Sequence, residues 1–159
     1  MLSLVYTSVQ TVDMDVHSFA RLCATASARN DQLGISGVLL CNGREFLQCL
    51  EGPTVHVSSV YSSILQDARH SDIRLLYHQA VTQRMFEGWS MAGLLARRDE
   101  RNADLPYALL DHRLNRPWQA LGVGAVDLVF EYARVKRNLE MAGQPDLLYK
   151  LHEQSSPPA

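Results

Sequence analysis

The sequence predicts an α+β fold, a mixed β-sheet with helices packed on both faces. Three observations carry that reading. Short apolar segments with strand periodicity alternate with amphipathic helical stripes. Asn42-Gly43 sits between two such segments and marks a tight hairpin. Hydrophobic residues make up 47% of the 159-residue chain, enough for one packed core with helices appended.

Residues Leu2 to Thr7 read as the first strand. Side chains alternate, so Leu4, Tyr6 and Ser8 share one face and Val5 and Thr7 the other. Asp13 or Asp15 caps a helix in which Val16, Phe19, Ala20 and Cys23 form a buried stripe. That helix is expected to run to about Arg29, with Asn30 to Gly34 leaving it. The segments ISGVLLC and REFLQCLEG form the second and third strands around Asn42-Gly43. A second helix follows Pro53, with Val57, Val60, Tyr61 and Ile64 on its apolar face, and ends near Asp67–His70. Ile73 to Ala80 is a fourth strand and Trp89 to Leu95 a fifth, with Trp89 and Met91 on one face of it. The order β-α-β-β-α-β-β is a ferredoxin-like arrangement with an extra strand. Two helices then cover one face, and helices at Leu105–Leu114 and Ala125–Met141 cover the other. In the latter, Val126, Val129, Phe130 and Ala133 form the stripe, with Glu131, Arg134, Lys136 and Arg137 outside it. Leu147–His152 adds a turn before a frayed tail. The organisation expected is a core at 1–95, a C-terminal helical cap at 96–153 and a flexible tail at 154–159.

The composition narrows the chemistry. The net charge is −2 and no basic stripe is present, so nothing favours nucleic acid or an anionic membrane. Three cysteines without a CxxC pair argue against a disulfide framework or a zinc site. No run approaches a membrane span and the N-terminus lacks a signal pattern, so a cytoplasmic location is expected. The motifs GxSxG, GxGxxG and HExxH and the P-loop are absent, and the six histidines lack metal-ligand spacing. One residue stands out. Gln48 shares the Phe46/Leu50 face of the third strand. An amide buried there costs about 1–3 kcal/mol unless it finds partners.

Five blocks taken together resemble the BLUF family of flavin-binding blue-light sensors. They are LVYTS around Tyr6, ARNDQLGISGVLL around Asn30, FLQCLEGP around Gln48, ILQDARH with Asp67, Arg69 and His70, and RMFEGWSM with Trp89 and Met91. The resemblance spans about Met1 to Leu95. It implies a flavin between the two helices on the Tyr6/Gln48 face: FAD by family default, with FMN or riboflavin as alternatives. Gln48 would bridge Tyr6 and the flavin, and Asn30 would hold a ring carbonyl and the adjacent imide N–H. Asp67, with Arg69 and His70, would lie near the ring or its ribityl chain. Ile64 and Ile35 would pack on the ring, and Arg29 would meet a carbonyl or phosphate. Some members of the family carry Arg or His where this chain has Ser63. The implied function is light sensing without substrate turnover, hence no enzyme. Tyr6 is the electron and proton donor and Gln48 the proton relay that ends rotated or tautomerised. A red-shifted signalling state then passes through the fifth strand, with Trp89 and Met91, to the C-terminal helices. A protein partner and a homo-oligomer are expected. The rivals are a flavin-dependent oxidoreductase and a ferredoxin-like regulatory module without chromophore.

Overall fold

The computed structural model describes residues 1–95 and 117–143. Five strands, β1 (Leu2–Gln10), β2 (Ser36–Cys41), β3 (Glu45–Gly52), β4 (His70–Ala80) and β5 (Ala92–Leu95), form one sheet in the order β4-β1-β3-β2-β5. Neighbours among β1–β4 are antiparallel, the ferredoxin-like order, and β5 adds to the edge parallel to β2. Helices α1 (Val16–Leu33) and α2 (Thr54–Leu65) lie on one face. A short α3 (Trp118–Leu121) and the long α4 (Gly124–Met141) cover the other. The expected helix at Leu105–Leu114, the turn at Leu147–His152 and the tail fall outside the described residues.

Strands β2 and β3 are buried along their whole length, because each lies between neighbours and under helices on both sides. Alternation then sorts their side chains into two cores. Leu4, Tyr6, Leu39, Phe46 and Leu50 meet Phe19, Val57 and Ile64 from α1 and α2. Val5, Val38, Leu40, Leu47 and Cys49 meet Trp118, Leu128, Val129 and Tyr132. Full burial of each large apolar side chain contributes about 1.5–3 kcal/mol.

Several boundaries differ from those expected. Asp15, not Asp13, caps α1, accepting from the Ser18 N–H at 2.7 Å. The helix runs past Arg29 to Leu33, since nothing before Gly34 breaks it. Gly34 ends it in the left-handed region (φ 64°), where a side chain would be strained. Asn30 therefore sits in the last helical turns and not beyond them. The β2–β3 turn centres on Gly43-Arg44, one residue later than Asn42-Gly43. Gly43 takes the positive φ (83°), and Asn42 Oδ1 accepts the Arg44 and Glu45 N–H groups. Strand β4 begins at His70 rather than Ile73. Strand β5 begins only at Ala92, so Trp89 and Met91 precede it.

On α4 the buried stripe is wider than the sequence indicated. Leu128, Tyr132 and Lys136 are buried, whereas Phe130 is 37% exposed and rests edge-on against Tyr77 of β4. No described helix is long and apolar enough to cross a membrane, and no described group of His, Cys, Asp and Glu could hold a metal.

Candidate functional site

Tyr6 and Gln48 are direct cross-strand partners in the β1–β3 register, both facing α1 and α2. Tyr6 is fully buried and Gln48 only 4% exposed. The Tyr6 hydroxyl donates to Gln48 Oε1, and Gln48 Nε2 donates to Met91 Sδ at 3.4 Å. The amide thus has a donor on one end and a soft acceptor on the other, which answers its burial cost. Burial raises the Tyr6 pKa far above the ordinary phenol value, and the Tyr61 ring at 5.5 Å adds to the shift. Tyr6 therefore stays a neutral donor at any physiological pH.

Above this pair lies a cavity of about 410 Å³ between the sheet and the helices. Its floor is Leu39 and Gln48. Leu22, Ala26 and Arg29 line it from α1 and Ile64 from α2, while Asp67, Arg69 and His70 border it from the turn into β4. Asp67 is held well ionised, its pKa pulled down to about 2 chiefly by hydrogen bonds from Arg69 at 2.5–3.1 Å. His70 shares a 2.7 Å hydrogen bond with Ser8 and packs 4.9 Å from Phe46. Its pKa is lowered, mainly by burial.

The other expected site residues stand apart from the cavity wall. Asn30 is buried at its α1 end, its amide donating to the Ser90 carbonyl at 2.9 Å and its Oδ1 3.4 Å from Arg29 Nε. Ile35 does not line the cavity. It packs where a side chain on Gly52 would project. Ser63 turns its hydroxyl back to the Ser59 carbonyl and leaves the cavity to others.

The expectation that Trp89 and Met91 share a face is corrected. Met91 joins the core under α1 and α2, beside Gln48, whereas Trp89 packs on the opposite core against Phe86 and Tyr132. The two residues lie outside any strand, so alternation does not bind them. A turn closes from the Trp89 N–H to the Phe86 carbonyl, with Gly88 at φ 82°. It carries the chain round the sheet edge between them.

Two further residues were not legible as site residues. Glu51, near the end of β3, is buried and accepts the Met85 and Phe86 N–H groups at 3.0–3.1 Å. Arg84 reaches Ser36, the Glu51 carbonyl and the Gly34 carbonyl. Together they anchor the start of the segment that carries Met91. Glu51 lies in the block FLQCLEGP and Arg84 in the block RMFEGWSM.

The lining suits a flat heteroaromatic ligand. Apolar side chains face each other across it, and an amide with both donor and acceptor capacity meets one edge. Charged groups collect at the rim, where a polar tail would leave.

Comparison with known proteins agrees. The family model described as BLUF, sensors of blue-light using FAD, matches residues 1–92. The chain is 39% identical over 71 residues to the blue light- and temperature-regulated antirepressor BluF of Escherichia coli (strain K12), covering 45% of this chain and 18% of that protein. It is 33% identical over 90 residues to photoactivated adenylate cyclase subunit beta of Euglena longa, covering 56% of this chain and 10% of the relative. The chain thus spans less than a fifth of the length of these curated relatives. Among solved structures, the BLUF protein BlrB in its dark state superposes with TM-score 0.65 at 28% identity, over 84% of this chain and 92% of the other. Klebsiella pneumoniae BlrP1 with FMN and cyclic diGMP gives 0.59 at 33% identity, over 75% and 32%.

Proposed function

This chain belongs to the BLUF family, the sensors of blue light using FAD, and from that premise we propose how its own residues work. The single observation that carries the reading is the buried hydrogen-bonded line Tyr6–Gln48–Met91 under the cavity floor. The flavin, bound in that cavity, supplies blue-light absorption and an oxidising excited state. FAD is the form we assign. The rim groups Arg69 and Asp67 meet its polar tail, Gln48 its polar ring edge and Ile64 the ring face, while Asn30, set back from the cavity, lies 3.4 Å from Arg29.

Tyr6 would donate an electron and its hydroxyl proton to the excited flavin, Gln48 would relay the proton, since its amide both donates and accepts, and both would return to Tyr6 so that no net redox change remains. A half-turn of the Gln48 amide, or its tautomer, then exchanges the donor and acceptor ends. The end facing a bound flavin would then be the stronger donor, which would lower the transition energy of the chromophore. Tyr6 tolerates the exchange because a phenol hydroxyl accepts as readily as it donates. No substrate is consumed. Residues 1–95 serve as the photosensory core, and the chain after Leu95 carries the signal to a protein partner. Arg29, rather than Ser63, contacts the second ring carbonyl.

The test is the visible spectrum of the purified, FAD-reconstituted protein in the dark and directly after blue light. A small, reversible red shift without bleaching is the expected result. Persistent bleaching would replace the reading with flavin redox turnover. A failure to bind FAD, FMN or riboflavin would overturn it.

A further inference from the structure

Lys136 is a charged residue with no part in the chemistry above, yet it is only 4% exposed. Burying an ammonium is costly unless specific partners compensate. Its partners divide between two elements. Nζ donates to the Glu87 carbonyl at 3.1 Å and lies 5.0 Å from the centre of the Trp89 ring, both on the segment before β5. It also pairs with Glu140 one turn along α4 at 2.7 Å. Tyr132, one turn earlier on the same face, sits 6.0 Å from Trp89. The C-terminal helix therefore grips residues 87–89 through one buried cation and one aromatic ring.

The other end of the same short segment is gripped from the opposite face of the sheet. Asn30 donates to the Ser90 carbonyl, and Gln48 donates to Met91 Sδ. Between these two grips the backbone is fixed once more, by the Gly37 N–H on the Trp89 carbonyl at 2.8 Å. Residues 87–91 are thus a bridge of five residues with the candidate switch at one end and α4 at the other. A thioether on Met91 is a weak acceptor, so the Gln48 end is the loosely held one. The Lys136 end combines a charged donor with a cation–π contact and is the tighter.

We propose that Lys136 is a positioning residue that makes α4 the reader of this bridge: it transmits displacement of Met91 into the helix instead of letting the segment move alone. The inference rests on Gln48 being the switch. Hydrogen–deuterium exchange on the full, FAD-loaded chain, in the dark and under continuous blue light, tests it. In the wild type, light should change exchange in peptides covering Glu87–Met91 and in those covering Tyr132–Glu140 together. In Lys136→Met the first change should persist and the second should be lost, while Lys136→Arg, which keeps a cationic donor, should restore it. A wild-type α4 that exchanges identically in both conditions, while the red shift forms, would overturn the proposal and leave the photochemical reading standing. So would a Lys136→Met protein whose α4 responds as the wild type does. A wild type without a red shift would instead remove the reading beneath it. Should Lys136→Met fail to fold, Lys136→Gln, which keeps a polar head without the charge, takes its place with the same expected and overturning results.

Discussion

Gln48 carries the photochemical reading because its two ends are chemically different and differently partnered. Replacing Tyr6 with Phe removes the donor on Oε1 and leaves the ring volume almost unchanged. The variant should bind flavin, show no light-induced red shift, and lose about 1–3 kcal/mol from the unpaired Gln48 carbonyl. A normal photocycle in Tyr6→Phe would sink the assignment of Tyr6. A second expectation belongs to His70. Its pKa is lowered in the folded state by burial, so the unfolded chain binds the proton more readily. Stability is then complete above the unfolded value near 6.5 and falls as pH drops through the folded value. His70→Gln should flatten denaturant midpoints across that acid range, and an unchanged slope would refute this role. At this scale the sequence was informative where periodicity alone fixed a face, as for Tyr6 and Gln48. It gave Glu51 no partner and placed Lys136 outside the buried stripe. Both look like solvated charges until their partners, 34 and 49 residues away, are folded against them.

The segment between β4 and β5 depends on Glu51 as a clamp. Its carboxylate holds two successive N–H groups, and burial raises its pKa against the pull of those donors. Glu51→Ala should destabilise the protein by about 2–4 kcal/mol, since the buried Phe86 N–H and the part-buried Met85 N–H lose their acceptor. It should also weaken the red-shifted state, because Met91 lies at the end of the released segment. Urea unfolding with light–dark spectra reads both, and a loss below about 1 kcal/mol would be too small for a clamp of this kind. The same segment explains where sequence reading of elements failed. The β2–β3 hairpin and α1 announce themselves through Asn42, Gly43, Asp15 and a regular stripe. Residues 84–91 carry no period, because their course is set by Arg84, Glu51 and the turn at Gly88. Extending β5 back to Trp89 therefore put Trp89 and Met91 on one face when they lie on two. The extra burial on α4 has a related cause: Lys136 is recruited to the core by Trp89 and Glu87, contacts that no helical pattern encodes.

The molecule as a whole is two cores sharing one sheet, and that arrangement makes ligand binding on one face a property of both. The cavity opens among α1, α2 and the Gln48 face, whereas both tryptophans, Trp89 and Trp118, lie on the other face under α4. Glu45 ties the two sides further. It accepts the Trp118 and Gln119 N–H groups at 2.8–2.9 Å from the end of a strand that also carries Gln48. Tryptophan fluorescence therefore reports unfolding of the face away from the cavity, and the absorbance of a flavin held in the cavity would report the other. A ligand that binds only the folded state at one hundred times its Kd stabilises it by about 2.7 kcal/mol. For a chain of this size that corresponds to a rise of about 6–10 °C in Tm. If the sheet joins the two cores into one cooperative unit, both signals should move by that amount and coincide. Flavin release well before the tryptophan transition would mean that the α1–α2 face opens on its own and that the sheet does not couple the two cores.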